Sequence, residues 1–358
     1  MLERPALAAW IHLLDTPGLG LATSRHLLAL AGSAQAALEL PDARLREALT
    51  PLQIKAWRAG PPQFDERVDR AWTWLHAGAG RDTLVLGDPD YPEQLLQTAD
   101  PPLRLWLHGR RELLGRTMLA IIGSRHPTAQ GTDIARAFAG ELAAAGLLIA
   151  SGLALGIDGA AHEGALAREE PTLAVVGTGL DTVYPRRNGK LWQRIATDGL
   201  IVSEYALGAP ALRANFPRRN RILAGLTRGC LVVEAAVQSG SLNTARLAVE
   251  AGREVYAIPG SIHSPQSRGC HALIRQGATL VETAADVLDA LPARIRTAAT
   301  APTNTPANTT RLGGPPARSA CSTAWALIRS ASTSCWRARP ARPRNSLPGC
   351  SSWNSKAT

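Results

Sequence analysis

The feature that most constrains this chain is a regular alternation of short apolar runs with helix-like segments between residues 119 and 291. The first run, Leu119–Ile122, stops at Gly123-Ser124-Arg125, where small residues let a ligand approach the backbone beside an arginine. Apolar residues then recur every three to four positions, which is typical of a helix that buries one face. The next run, Leu147–Ala150, ends at Ser151-Gly152. Because ligands bind at the carboxyl ends of parallel strands, we expect both turns to share one crevice.

Five further apolar runs continue the alternation as far as residue 281. They are Thr172–Val176, Leu200–Ser203, Cys230–Val233, Glu254–Ile258 and Thr279–Val281. Helices are predicted between and after them, near Leu191–Thr197, Arg218–Leu226, Leu242–Ala251, Gly269–Arg275 and Ala284–Leu291. Seven strands interleaved with helices predict an α/β fold with a doubly wound, mostly parallel, Rossmann-like sheet over residues 83–291.

Residues 1–75 predict a small helical domain of the helix-hairpin-helix (SAM-like) type. Leu13 and Leu14 lead into the segment Thr16–Gly20, T-P-G-L-G, and a second leucine-rich helix follows. Such a hairpin can offer backbone N–H groups to a DNA phosphate. An ordinary connection between two helices explains the same residues, and we favour that interpretation.

A cluster of acidic residues precedes the predicted sheet. Asp88, Asp90 and Glu93 in D-P-D-Y-P-E could suggest a metal site. We interpret the segment instead as a Pro-braced turn whose carboxylates cap the helix that starts at Glu93. We predict no metal site in this chain.

The net charge of +10 is concentrated at the C-terminal end. From Arg311 onward the chain holds seven Arg and one Lys and no Asp or Glu, so residues 1–310 are left with about +2. A polyanion site in the body of the protein must therefore come from local clustering.

Two basic loops supply that clustering, Tyr184–Lys190 (Y-P-R-R-N-G-K) and Arg213–Arg221 (R-A-N-F-P-R-R-N-R). Arginines beside an aromatic ring suit a backbone contact plus a stacked base, the pattern of single-strand binding. A basic run is more often a solvated surface. Because both loops fall at the ligand edge of the predicted sheet, together with Ser239-Gly240-Ser241, we favour a binding function.

Two kinds of enzyme are alternatives to this interpretation. Gly177-Thr178-Gly179 follows a strand but runs into a proline turn, so it lacks the pattern that binds a dinucleotide, and we expect no cofactor. A hydrolase that acts on nucleotides or nucleic acids stays open as an alternative, with Asp158 or Glu234 as the acid or base. We interpret Asp158 and His162, one turn apart, as scaffold for the Ser151-Gly152 turn.

The five cysteines show no metal-ligand or CxxC spacing, which favours a reducing compartment without disulfides. The first residues do not have the pattern of a signal peptide, and no run reaches membrane-spanning length. We therefore expect a cytoplasmic protein.

The motifs as a set resemble the DNA-processing protein A (DprA/Smf) family from about residue 83 to residue 291. They are G-S-R-x-P-T-x-x-G, S-G-L-A-L-G-I-D-G-A-A-H, A-V-V-G-T-G-L-D-x-x-Y-P, S-E-Y, F-P-R-R-N-R-I-L-A-G-L, V-V-E-A-A-x-x-S-G-S-L-N-T-A and A-I-P-G-S. The resemblance implies binding and protection of single-stranded DNA and loading of the RecA recombinase during natural transformation. It implies a homodimer through the α/β domain and no catalytic step.

The resemblance and the strand-end pattern together give a set of candidate DNA-binding residues. They are Gly123, Ser124, Arg125, Ser151, Gly152, Arg186, Arg213, Phe216, Arg219, Asn220, Arg221, Gly240 and Ser241.

The C-terminal segment departs from the family pattern, in which a winged-helix domain often follows the sheet. Residues 292–310, rich in Ala, Thr, Pro and Asn, predict a disordered linker. Residues 311–358 hold three of the nine Trp and three of the five Cys and no acid. Our hypothesis is that this tail is the frameshifted remnant of a winged helix. A genuine basic tail that adds nonspecific DNA affinity is the alternative.

Overall fold

The computed structural model describes residues 2–291, in which strands and helices alternate after an all-helical start. The strands are β1 Arg81–Val85, β2 Arg104–Gly109, β3 Met118–Ile122, β4 Leu148–Ser151, β5 Thr172–Val175, β6 Leu200–Ser203, β7 Gly229–Val232, β8 Glu254–Ala257 and β9 Thr279–Leu280. The helices are α1 Arg4–Asp15, α2 Leu21–Ala31, α3 Ala34–Glu39, α4 Asp42–Leu45, α5 Pro51–Ala59, α6 Phe64–His76, α7 Glu93–Leu96, α8 Ala129–Ala144, α9 Ile157–Leu166, α10 Gly189–Asp198, α11 Asn215–Leu226, α12 Gly240–Glu250, α13 Arg268–Arg275 and α14 Ala284–Ala290. The predictions for the linker 292–310 and the tail 311–358 lie outside these residues.

The strands form one sheet in the order β1-β2-β6-β5-β4-β3-β7-β8-β9. The seven strands from β6 to β9 in this order run parallel, and β1 and β2 pair antiparallel at one edge. The register places Ala120 of β3 beside Ala150 of β4 and Cys230 of β7. The predicted doubly wound, mostly parallel sheet is confirmed. The prediction of seven strands omitted β1 and β2.

Helices cover both faces of the sheet because successive residues of each strand point to opposite sides. Leu119 and Ile121 of β3 pack in a cluster with Phe138 of α8 and with α9. Ala120 and Ile122 pack on the other face in a cluster with α11 and α12. The strand sequences are almost continuously apolar because helices bury both faces of the sheet.

The helices of residues 4–76 pack directly on the sheet. Leu7 and Ile11 of α1 share a buried cluster with Trp106 of β2 and Val176. The cluster on the α11 side likewise contains residues of α1–α5, such as Trp57. The predicted order of helix, glycine-rich turn and helix is present as α1, the turn around Gly18 and α2, but the core of these helices is continuous with that of the sheet.

The acidic turn before α7 has a structural role, as predicted. Its aspartates contact Arg111, however, and not the start of the helix. Arg111 binds the carboxylates of Asp82 at 2.7 Å and Asp90 at 2.6 Å. Helix α7 follows Pro92 and has no side-chain cap, so the prediction that these carboxylates cap it is wrong. The carboxylates instead gather around one guanidinium, where each ion pair offsets the repulsion between like charges.

Candidate functional site

A crevice opens where the order of the parallel strands reverses. Strands β4, β5 and β6 lie on one side of β3, whereas β7, β8 and β9 lie on the other, so the turns after β3 and β7 diverge. A cavity of about 900 Å³ lies at this point. Its walls come from the turns after β3 and β7, the starts of α11 and α12, and the loop around Tyr184.

Small residues on the floor of the crevice are held by hydrogen bonds between serine hydroxyls and backbone groups. The Ser241 hydroxyl donates to the Gly123 carbonyl at 2.7 Å, and the Ser239 hydroxyl accepts from the Ser241 N–H at 3.2 Å. A Cβ on Gly123 would lie 2.7 Å from Cγ1 of Ile157, closer than two carbons can approach. The start of α12 is therefore fixed against the turn after β3.

A buried arginine and a buried aspartate both bind the Gly152 backbone beside this floor. Arg219 is 5% exposed and donates to the Gly152 carbonyl at 3.0 Å. Asp158 accepts from the N–H groups of Gly152 at 3.2 Å and Ala154 at 3.4 Å. Burial lowers the pKa of Arg219 and raises the pKa of Asp158, and the opposite charge of each group opposes the other's shift. The predicted role of Asp158 in holding the Ser151-Gly152 turn is confirmed.

His162 does not contact the Ser151-Gly152 turn that it was predicted to support, but contacts Thr172. It is fully buried, and its Nδ1 lies 2.7 Å from the Thr172 hydroxyl on β5. Burial lowers its pKa to about 3. His162 is scaffold, as predicted, but it supports the sheet through Thr172 rather than the Ser151-Gly152 turn.

Two aromatic rings and an arginine form the outer wall of the crevice. The rings of Tyr184 and Phe216 are 5.4 Å apart, and Cζ of Arg125 lies 5.6 Å from the centre of the Phe216 ring. Gly177 leaves room for Phe216, since a Cβ there would lie 3.0 Å from the ring. Arg125 and Tyr184 are exposed. The wall thus presents flat apolar faces next to a cation, which suits stacked bases and their phosphates.

Most of the predicted residues come together at this crevice. The larger cavity is lined by Gly123, Ser124, Arg125, Arg213, Phe216, Arg219, Asn220, Gly240 and Ser241. Gly152 lines a smaller hollow of about 210 Å³ that also contacts Arg125 and Phe216. Residues from separate segments of the chain therefore meet, as the strand-end pattern predicted.

Three predicted residues do not line either cavity. Ser151 is fully buried as the last residue of β4, and its hydroxyl donates to the Ile121 carbonyl at 2.6 Å. Arg221 is held by Glu204, with Nη2 2.5 Å from the carboxylate. Arg186 is exposed in a short 3-10 turn beyond the crevice lining. The side chains of Ser151 and Arg221 are thus occupied by the protein itself.

The crevice also contains residues that the sequence interpretation missed. Gln266 donates to the His126 carbonyl at 3.3 Å and so joins the loop after β8 to the Gly-Ser-Arg turn. Both residues line the larger cavity. No local pattern could indicate this contact, because the two residues are 140 positions apart.

The two carboxylates considered for hydrolysis, and Glu204 after β6, each hold a structural partner. Glu234 accepts from the N–H and the hydroxyl of Thr128 at 2.9 and 2.6 Å. Glu204 binds Arg221, and Asp158 binds the Gly152 turn. Between residues 2 and 291, no three His, Cys, Asp or Glu residues are grouped so that they could bind a metal ion. In the same range no helix combines the length and apolar character needed to cross a bilayer.

Comparison with known proteins identifies relatives of residues 82–292. This segment matches the family model described as DNA recombination-mediator protein A. Protein Smf of Escherichia coli is 48% identical over 210 residues, which cover 58% of this chain and 56% of the E. coli protein. The match therefore spans little more than half the length of that relative.

Two solved structures share the architecture at more than 30% sequence identity. DNA processing protein A from Streptococcus pneumoniae is 34% identical with a TM-score of 0.67, over 80% of this chain and 98% of that one. DNA processing protein A from Helicobacter pylori, whose structure concerns a single-stranded DNA binding mode, is 32% identical with a TM-score of 0.54. That similarity covers 58% of this chain and 94% of the H. pylori chain.

Proposed function

Since the chain belongs to the DNA recombination-mediator protein A family, we propose that it binds single-stranded DNA in the crevice between β3 and β7. The observation that carries this proposal is the wall in which Arg125, Phe216 and Tyr184 stand side by side. Bases of a single strand can stack on such rings, whereas a duplex keeps its bases stacked on each other. The H. pylori relative, described as binding single-stranded DNA, supports the same ligand.

The proposal has a wider part that concerns recombination. We propose that the bound strand is protected and handed to the RecA recombinase during natural transformation, in the cytoplasm, and that the active form is a homodimer joined through the α/β domain. Assembly of RecA filaments on the bound strand and sedimentation of the protein at micromolar concentration test these two parts separately.

The proposed function is binding without a catalytic step. The contacts of Asp158, Glu204 and Glu234 support this, because each carboxylate already stabilises backbone groups or an arginine. Asp158 lines the larger cavity, and its Oδ2 already accepts from the Gly152 and Ala154 N–H groups, whereas a general acid or base must exchange a proton with the substrate.

The test is a fluorescence-anisotropy titration of labelled oligo-dT and of a duplex of equal length with the full chain, at two salt concentrations. Replacing Arg125 and Phe216 together by Ala should weaken oligo-dT binding by about 10- to 100-fold, since it removes a cation and a stacking surface. The unchanged tail makes the same contribution in every variant. Arg44→Ala, an exposed arginine of α4 paired with Glu47, is the control for removal of a charge and should bind as the wild type does.

Two results would count against the proposal. Wild-type protein that prefers the duplex would show that the wall does not select a single strand. Equal affinity of the wild type and the double variant would place the binding site away from the crevice.

A further inference from the structure

The Arg221 guanidinium is bound on every nitrogen by groups outside the crevice. Nη2 lies 2.5 Å from both carboxylate oxygens of Glu204, and Nη1 donates to the Asp100 carbonyl at 2.6 Å. Nε lies 3.4 Å from the Asp100 carboxylate. The side chains of Arg221 and Glu204 are 18% and 14% exposed. Arg221 could bind a DNA phosphate only by giving up a shielded ion pair, which is costly.

The same helix carries Phe216, Pro217, Arg219 and Asn220 into the crevice. Arg221 of α11 does not line the cavity. Arg219 and Arg221 are two positions apart, which is about 200° around a helix, so they lie on nearly opposite sides. The rotation of α11 that places Arg221 on Glu204 is therefore the rotation that places Arg219 beside Gly152.

Asp100, the second partner of Arg221, is also bound by an N-terminal helix. Arg25 of α2 forms an ion pair with Asp100 and donates to the Pro101 carbonyl at 2.9 Å. Glu204 directly follows β6, and its carboxylate is largely shielded from water. Through Glu204, Arg221 connects α11 to the end of β6. Through Asp100, it connects α11 to the segment that Arg25 of α2 also binds.

We propose that Glu204 and Arg221 are positioning residues for single-stranded DNA binding, whose ion pair sets the rotation of α11 and so the placement of Phe216 and Arg219. Arg221 itself does not touch the strand. This inference rests on the proposed function, because it concerns the same crevice. It replaces the sequence-based expectation that Arg221 is a direct contact.

The experiment compares full-length Glu204→Gln, Arg221→Gln and the double variant. Dissociation constants for oligo-dT are measured across a series of salt concentrations, and thermal unfolding confirms that each variant is folded. The slope of log affinity against log salt falls by about 0.7 for each phosphate of a single strand that the protein no longer neutralises. Arg125→Gln is the reference for a direct contact. Arg111→Gln, which breaks a partly buried ion pair with Asp82 and Asp90, is the control for reduced stability alone.

The positioning role predicts that both single variants weaken binding by about tenfold and that the double variant binds no worse than either one. The salt slope should stay at the wild-type value, whereas Arg125→Gln should lower it. Arg111→Gln should reduce the unfolding temperature without changing affinity.

Several outcomes would overturn the proposal. Tighter binding by Glu204→Gln, together with weaker binding and a lower salt slope for Arg221→Gln, would show that Arg221 contacts phosphate and that Glu204 competes with the strand. Unchanged affinity in all three variants would show that the pair does not act on the site. Wild-type protein that fails to bind oligo-dT would overturn the proposed function, and this inference with it.

Arg221→Lys covers the case in which the glutamine variants do not fold. Lysine keeps the charge but cannot reproduce the planar contacts with Glu204 and Asp100. The positioning role predicts about tenfold weaker binding for Arg221→Lys as well. Affinity near the wild-type value would contradict it, because a charge that merely attracts phosphate survives this substitution.

Discussion

The Gly152–Arg219 contact shows how one absent side chain shapes the crevice. A Cβ at position 152 would lie 2.6 Å from Cζ of Arg219 and would displace the guanidinium from its place. The charge of Arg219 is tolerated at 5% exposure because Asp158 supplies an opposite charge nearby. The absent side chain of Gly152 thus leaves room for a buried cation.

The surroundings of His162 in the folded protein disfavour its protonated form. The Thr172 hydroxyl donates its only hydrogen to the Ile149 carbonyl, so it must accept from Nδ1–H of His162. Nε2 is buried and has no hydrogen-bond partner, so a second proton would create an unpaired buried charge. This explains the low pKa of His162 without any catalytic role.

We predict that His162 lowers the stability of the wild type in acid. The folded pKa of about 3 lies below the unfolded value of 6.5, so the unfolded chain binds the extra proton first. Protonation of His162 therefore leaves the free energy of unfolding unchanged above pH 6.5 and lowers it progressively as the pH falls towards 3. Between pH 7.5 and 5.0 the wild type should lose about 2 kcal/mol more unfolding free energy than His162→Gln, measured by urea unfolding. An identical pH dependence in both proteins would contradict this.

At the scale of elements, the start of α8 depends on a residue from a distant strand. Glu234 follows β7 and holds Thr128, and the Thr128 hydroxyl in turn accepts from the Gly131 N–H at 2.9 Å. A Cβ on Gly131 would lie 2.6 Å from Oε1 of Glu234, so the glycine leaves room for the carboxylate. Glu234 therefore fixes a helix N-terminus next to the crevice.

We predict that Glu234→Ala reduces the free energy of unfolding by about 1 kcal/mol, because it removes two hydrogen bonds to Thr128, whose exposed N–H and hydroxyl can then bond only to water. Urea unfolding at neutral pH measures the change. Glu250→Ala, an exposed residue of α12 paired with Arg246, is the matched control and should change stability by less than about 0.5 kcal/mol. Equal effects of the two substitutions would show that the contact of Glu234 with Thr128 does not stabilise α8.

At the scale of the whole molecule, the N-terminal helices and the sheet are joined by polar as well as apolar contacts. Arg104 of β2 is 2% exposed, lies 3.6 Å from Asp15 at the end of α1, and stands over the Trp106 ring at 4.7 Å. Together with the shared apolar clusters, this contact should make the described part of the chain unfold as one unit.

We predict that Asp15→Ala lowers the stability of this whole unit by about 3 kcal/mol, since it leaves the Arg104 charge buried without its partner. Tryptophan fluorescence and far-UV circular dichroism should report one coincident urea transition, shifted to lower urea. Asp69→Ala, which breaks an exposed ion pair with Arg4, should leave the transition nearly unshifted. Separate transitions by the two probes would show that the helices fold independently of the sheet.

The parallel part of the sheet and the position of the crevice could be predicted from local sequence signals. Apolar runs of strand length predicted the parallel strands, and the glycine and serine residues at several of their ends predicted the edge that Gly123, Gly152 and Gly240 line. The antiparallel strands β1 and β2 were not assigned, because their short runs flank a proline-rich turn.

The role of each arginine in the basic run, by contrast, depends on how distant segments pack. Arg219 and Arg221 have the same chemistry and the same sequence context, yet one lines the crevice and the other is bound by Glu204 and Asp100. Their partners come from segments that are distant in the chain, and the rotation of α11 assigns each arginine to its side. The sequence pattern shows which residues of a helix share a face. It does not show which distant residues that face contacts, because tertiary packing decides this.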